Sequence, residues 1–175
     1  MLVLAFALPL FLGAGLLFLL EPMIARMLLP RIRFREAADA QYDLIALDAF
    51  SGDSIPMHLL TREALALYER KLAPHGVLAF HITNLYLSLA PEAANLASDA
   101  HLVCLGEDDS RLSLAEIDAG RFPSVWVVVA RSASDLSSLV SDPISGSRWT
   151  ILRPYPAARI WTDDYSNLLS ALKWN

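Results

Sequence analysis

Asp48 closes an apolar run, Leu44-Ile-Ala-Leu47, and Ser51, Asp53 and Ser54 follow on a loop rich in Ser, Gly and Asp. A run of that length and composition predicts a strand buried in a sheet, with Asp48 at its carboxyl end. In open parallel α/β sheets, ligands bind beyond the carboxyl ends of the strands, so a carboxylate there is positioned for chemistry rather than packing. It could take a proton from a substrate amine, whose pKa of about 10 leaves it protonated and non-nucleophilic at neutral pH. The competing reading is a carboxylate that only caps the next turn. His81, Thr83 and Asn84 end a second apolar run, Gly76-Val-Leu-Ala-Phe-His-Ile82. Two strand ends are therefore expected to gather polar groups over one pocket mouth, with His81 and Asn84 on its rim. His58 and His81 have no second ligand at metal spacing, so no metal site is expected, and a hydrogen-bonded structural role competes for each. Ser51-Gly52 is no nucleophile elbow, because the Gly-x-Ser-x-Gly pattern is absent.

These residues must be positioned by an alternation of strands and helices. Residues 42–47 and 76–82 read as buried strands, and residues 101–105 and 124–130 as two more, the last being β-branched and aromatic throughout its centre. Thr61 can cap a helix over 61–73, with Leu65, Tyr68 and Leu72 at helical spacing and Pro74-His75-Gly76 ending it. Pro91 suits the start of a second helix running to Ala100. Ser134 can cap a short helical patch as far as Val140, and the segment from Glu107 to Gly120 is acidic and ambiguous. Strand–helix–strand–helix–strand with short joints predicts a parallel sheet with right-handed crossovers, in three layers. The strands 42–47 and 76–82 should be parallel neighbours, since the intervening helix is long enough for a crossover.

Composition narrows the setting. Residues 2–20 carry no charge, a run long enough for a bilayer-spanning helix of roughly 20 residues. No basic residue precedes the run and no small-x-small site precedes Glu21, which favours an anchor over a cleaved signal peptide. Arg26, Arg31, Arg33 and Arg35 follow, so the positive-inside rule predicts a single-pass protein of the inner or plasma membrane with its C-terminal domain in the cytoplasm. The expected organisation is a membrane helix and flank over 1–30, a linker over 31–41 and an α/β domain over 42–175. The net charge of −5 argues against a nucleic-acid surface. The lone Cys104 sits in an apolar stretch, as a buried small hydrophobe would, and allows no disulfide framework. After the apolar run every glycine is isolated, so the glycine-rich turn that usually cradles a nucleotide or nucleoside is missing and no cofactor-binding residues can be named.

The block from Tyr42 to Thr61 resembles the central segment of spermidine-synthase-like proteins, the polyamine aminopropyltransferases. It is most similar to the branch in which that domain is fused to a multi-span membrane module. Gly76-Val-Leu-Ala-Phe-His-Ile-Thr-Asn84 looks like the next strand of those proteins, Trp161-Thr-Asp-Asp-Tyr-Ser-Asn-Leu168 like their C-terminal signature, and Leu16 to Pro30 like the first membrane span. The resemblance implies a Rossmann-like sheet of the class I methyltransferase type. It also implies transfer of an aminopropyl group from decarboxylated S-adenosylmethionine, as co-substrate, to a diamine such as putrescine. Asp48 then takes the place of the carboxylate that accepts the amine proton. The loop 51–58, with Ser51, Asp53, Ser54 and His58, would be the gate that holds the substrate. The soluble synthases carry Asp-x-x-Asp-Pro here, whereas this chain has Ser51 in the loop and Asp53 as its second acid. In the family, further spans, the glycine-rich turn and a ribose-holding acid separate the first span from the Asp48 strand. Here only residues 31–41 fill that interval, so the chain reads like a member with its middle removed. Three functions follow as expectations: an aminopropyltransferase-like enzyme on a membrane anchor, a catalytically silent membrane-tethered remnant or binding module, and an S-adenosylmethionine-dependent methyltransferase. The expected partners are membrane lipid, a small polyamine and another subunit bound through an exposed sheet edge.

Overall fold

A computed structural model describes residues 41–48, 56–141, 148–155 and 158–173. The apolar run 2–20 and the loop residues Ser51, Asp53 and Ser54 lie outside them. No helix among the described residues is long and apolar enough to cross a membrane.

The sheet begins with β1 (Tyr42–Leu47), which leads through a 3-10 turn at Met57–Leu59 to α1 (Arg62–Lys71) and β2 (Leu72–His81). Thr61 caps α1 by accepting the Ala64 N–H at 3.3 Å, and Ala64, Leu65, Tyr68 and Lys71 turn one face of the helix inward. The Tyr68 ring meets Phe80 of β2 edge-on, with centroids 6.4 Å apart. β1 and β2 are parallel, pairing Leu44 with Val77 and Leu47 with Phe80, as the helix between them predicts. β2 starts at Leu72, earlier than Gly76, because Tyr42 pairs with Leu72 and a register shift absorbs the residues between. Gly76 lies at that shift, where a Cβ would come 2.7 Å from the Tyr42 carbonyl oxygen.

The rest of the sheet corrects the parallel expectation. α2 (Ala90–Asp99) leads to β3 (Val103–Asp108), and β4 (Val125–Ala130) inserts antiparallel between β2 and β3. A short β5 (Thr150–Ile151) adds antiparallel to β3, giving the order β1-β2-β4-β3-β5. The reason lies in the acidic connection before β4. A parallel return needs a crossover element, usually a helix long enough to carry the chain back along the sheet. Here the connection holds only the short helix α3 (Leu114–Asp118) and closes on itself. Ser113 and Glu116 form a capping box, Arg121 pairs with Asp109 and Glu116, and the Asp109 N–H bonds the Ser124 carbonyl at 2.8 Å.

Apolar side chains cover both sheet faces. Leu59, Leu65, Phe80, Ala93, Leu96, Ala97 and Val129 converge on the face that carries α1 and α2. On the other, Ala79, Leu105, Val128 and Ala130 pack with Leu136, from the 3-10 turn Ala133–Leu136 that precedes α4 (Ser137–Ser141). The tail then returns to the sheet. Trp161 is fully buried, and its carbonyl accepts the Arg62 N–H while Asp163 accepts the Thr61 hydroxyl at 2.8 Å. The last helix is α5 (Leu168–Ala171). This mixed α/β arrangement around a five-stranded sheet is consistent with a Rossmann-like fold.

Candidate active site

Parallel register sets the geometry at the sheet's carboxyl end. Because Leu47 pairs with Phe80, the residues that follow, Asp48 and His81, come out side by side. Asp48 Oδ1 lies 2.7 Å from His81 Nδ1. On the other side of the imidazole, Nε2 lies 2.8 Å from the Thr83 hydroxyl. That hydroxyl oxygen accepts the Val125 N–H at 2.8 Å, where β4 begins. Trp126 is the residue of β4 opposite His81, and its indole stacks on the imidazole at 4.5 Å with 22° between the planes. The chain Asp48–His81–Thr83–Val125 thus crosses from β1 through β2 to β4.

Exposure divides the roles within it. The Asp48 side chain is 63% exposed, whereas that of His81 is 19% exposed. One Asp48 oxygen is held by His81, while the carboxylate as a whole stays open to solvent. A carboxylate so placed can accept a proton or hold a cationic group; the imidazole has both nitrogens in hydrogen bonds.

The other sequence-picked residues fall elsewhere. Asn84 is buried and shapes the following turn. Its side-chain oxygen accepts the Tyr86 and Leu87 N–H groups at 2.9 and 2.8 Å, and its backbone carbonyl accepts from Lys173 Nζ at 2.8 Å. His58 is half-buried in the 3-10 turn, where its carbonyl faces the Thr61 hydroxyl at 3.4 Å. Trp126 was not among the sequence candidates. Its only sequence signal was a place in the strongest strand, and its contact with His81 depends on the antiparallel insertion of β4.

Next to this chain lies a cleft of about 160 Å³, lined among others by Trp126, Val125, Leu89, Glu107, Asp108 and Lys173. Asp48 and His81 do not line it, whereas Trp126, which stacks on the imidazole, does. Its acids are engaged. The Ser110 hydrogen bond holds the Asp108 carboxyl below the usual range, and Arg148 lies 3.6 Å from Glu107.

No family model matches the chain. A stretch of 49 residues is 47% identical to the polyamine aminopropyltransferase of Vibrio vulnificus (strain CMCP6). The alignment takes in 26% of this chain and 16% of the relative, so the chain spans about a sixth of the length of the protein it matches. The similarity supports a spermidine-synthase-like relationship.

Proposed function

We propose that the Asp48 end of the sheet is the acceptor side of a spermidine-synthase-like aminopropyltransferase, in which Asp48 takes the proton of the attacking amine. One observation carries this reading: a solvent-open carboxylate at the carboxyl end of a parallel strand pair, fixed through one oxygen by His81. The partial likeness to a polyamine aminopropyltransferase supports it. In the reaction, the ammonium of a diamine such as putrescine loses a proton to Asp48. The freed nitrogen attacks the carbon next to the sulfonium of decarboxylated S-adenosylmethionine, the C–S bond breaks, and methylthioadenosine leaves. The gate-loop residues Ser51, Asp53 and Ser54 would hold the distal ammonium. Residues 2–20 would anchor the chain in the membrane as in the fused branch, with the α/β part cytoplasmic; the charge-free run and the arginines after it support this.

A second reading is a silent binding or assembly piece, favoured by the lack of any glycine-rich turn in the sequence. Among the described residues β1 is the outermost strand, with Leu44 60% exposed and a single charge, Asp43, along it. Such an edge invites a further subunit.

Methylthioadenosine release from decarboxylated S-adenosylmethionine and putrescine tests the first reading. Asp48→Asn should lower turnover by about 10²–10⁴-fold, the usual worth of a positioned base, and near-normal turnover would end its candidacy. Absence of both turnover and calorimetric binding of methylthioadenosine by the full chain would leave the binding-piece reading standing.

A further inference from the structure

We propose that His81 is a positioning residue whose Nδ1–H clamps one oxygen of Asp48 and turns the other toward substrate, with Thr83 and Trp126 locking the imidazole in the tautomer and plane that this requires. The inference rests on the reading of Asp48 as the base.

Proton accounting fixes the direction of each bond. An ionised carboxylate can only accept, so at 2.7 Å the His81 Nδ1 must carry the hydrogen whenever Asp48 is charged. On the far side, the Thr83 oxygen already accepts the Val125 N–H, which leaves the hydroxyl hydrogen free to point at Nε2, 2.8 Å away. The neutral imidazole is therefore held as the Nδ1–H form. The opposite tautomer would set a lone pair on Nδ1 against the carboxylate, 2.7 Å away. The indole of Trp126, nearly parallel at 4.5 Å, opposes rotation of the ring out of this plane.

With both nitrogens in hydrogen bonds and 19% of its side chain exposed, His81 offers substrate no open nitrogen. The proton goes to the open oxygen of Asp48, and the Nδ1–H bond to Oδ1 survives the transfer. A carboxylate on an exposed strand end would otherwise rotate freely. Misplacing a reacting group by about 1 Å can cost about 10²-fold in rate.

The alternative is a hydrogen bond that merely pins β1 to β2, and three variants separate the two. His81→Phe keeps a ring to stack on Trp126 but donates nothing. His81→Asn can offer its side-chain N–H near the position of Nδ1. Thr83→Val removes the hydroxyl and keeps the shape. Multiple-bond ¹H–¹⁵N spectra of the full chain with labelled histidine should show His81 Nδ1 protonated, and Thr83→Val, which takes the hydroxyl away from Nε2, should shift the Nε2 resonance while Asp48 keeps Nδ1 protonated. An unprotonated Nδ1 in the unaltered chain would overturn the proposal whether or not the protein transfers aminopropyl groups. In turnover, His81→Phe should lower kcat about 10²-fold at similar KM, and His81→Asn should recover most of it. Equal losses in the two variants, or losses that follow the unfolded fraction, would reduce His81 to a structural pin. A chain without turnover would overturn the reading of Asp48 as the base and leave the spectra to decide the clamp.

Discussion

Single side chains in this protein take their chemistry from what covers them, and Asp48 and Cys104 are opposite cases. The Asp48 carboxylate sits at a strand end in contact with water, where it can meet a substrate. Cys104, on β3, is 5% exposed, and burial pushes its thiol up to about 12. The reactive form is the thiolate, so Cys104 is expected to be inert in the folded protein. Labelling with a maleimide or a disulfide reagent at pH 8 should be slow in buffer and complete in denaturant. Rapid labelling of the folded chain would mean that β3 opens readily.

At the scale of elements, the end of α2 shows a sequence solving a geometric problem with an unusual residue. The chain must leave the helix and enter β3 within a few residues, and it does so through His101 at φ 59°, in the left-handed region. The His101 N–H bonds the Ser98 carbonyl at 3.1 Å and the Leu102 N–H the Ala97 carbonyl at 2.8 Å, so the turn is well satisfied. A side chain there costs roughly 1–2 kcal/mol, while glycine loses about 0.5–1 kcal/mol more backbone entropy on folding than alanine does. His101 is exposed and has little packing to lose. His101→Gly should therefore stabilise the protein by roughly 0.5 kcal/mol. A lowered denaturation midpoint in that variant would show that the imidazole has an interaction worth more than the backbone strain.

Across the whole molecule, titratable groups pull stability in two directions with pH. Glu92 lies in the first turn of α2, where the helix dipole favours a negative charge. It is nevertheless 5% exposed, and burial dominates, raising its carboxyl above the usual range. A folded pKa above the unfolded one gives stability that is present below the unfolded value, about 4.3, and lost as pH rises through the folded value. Glu92→Gln should thus raise the thermal midpoint at pH 7 and leave it nearly unchanged at pH 4. A gain of the same size at both pH values would contradict burial as the cause. Asp135, Glu116 and Asp108 act in the opposite sense, lowered respectively by hydrogen bonds from His75, from the Ser113 backbone and from Ser110. Their contributions hold above the unfolded carboxyl pKa and fade as pH falls through the folded values. Asp108 is exposed and the Glu116 side chain is 39% exposed, so their effects are small, whereas the Asp135 side chain is 6% exposed and is the most shielded of the three.

Local pattern was enough for β1, for its end on Asp48, for the Thr61 cap and for the parallel pairing of β1 with β2. Each depends on residues close in sequence: an apolar run, a capping hydroxyl, and a helix long enough to carry the chain back in the same direction. The place of β4 was not legible. Its composition announced a strand, but strand direction and neighbours depend on how the preceding connection closes, and that closure uses pairs such as Arg121 with Asp109 and Glu116. The start of β3 was misplaced for a related reason, since no glycine marks the left-handed turn that His101 makes. The candidate site divides along the same line. Asp48, His81 and Thr83 could be read as polar groups on adjacent strand ends. Only the antiparallel insertion of β4 brings the Val125 N–H to Thr83 and Trp126 onto His81, because contacts between distant strands follow from sheet order, which short-range periodicity does not encode.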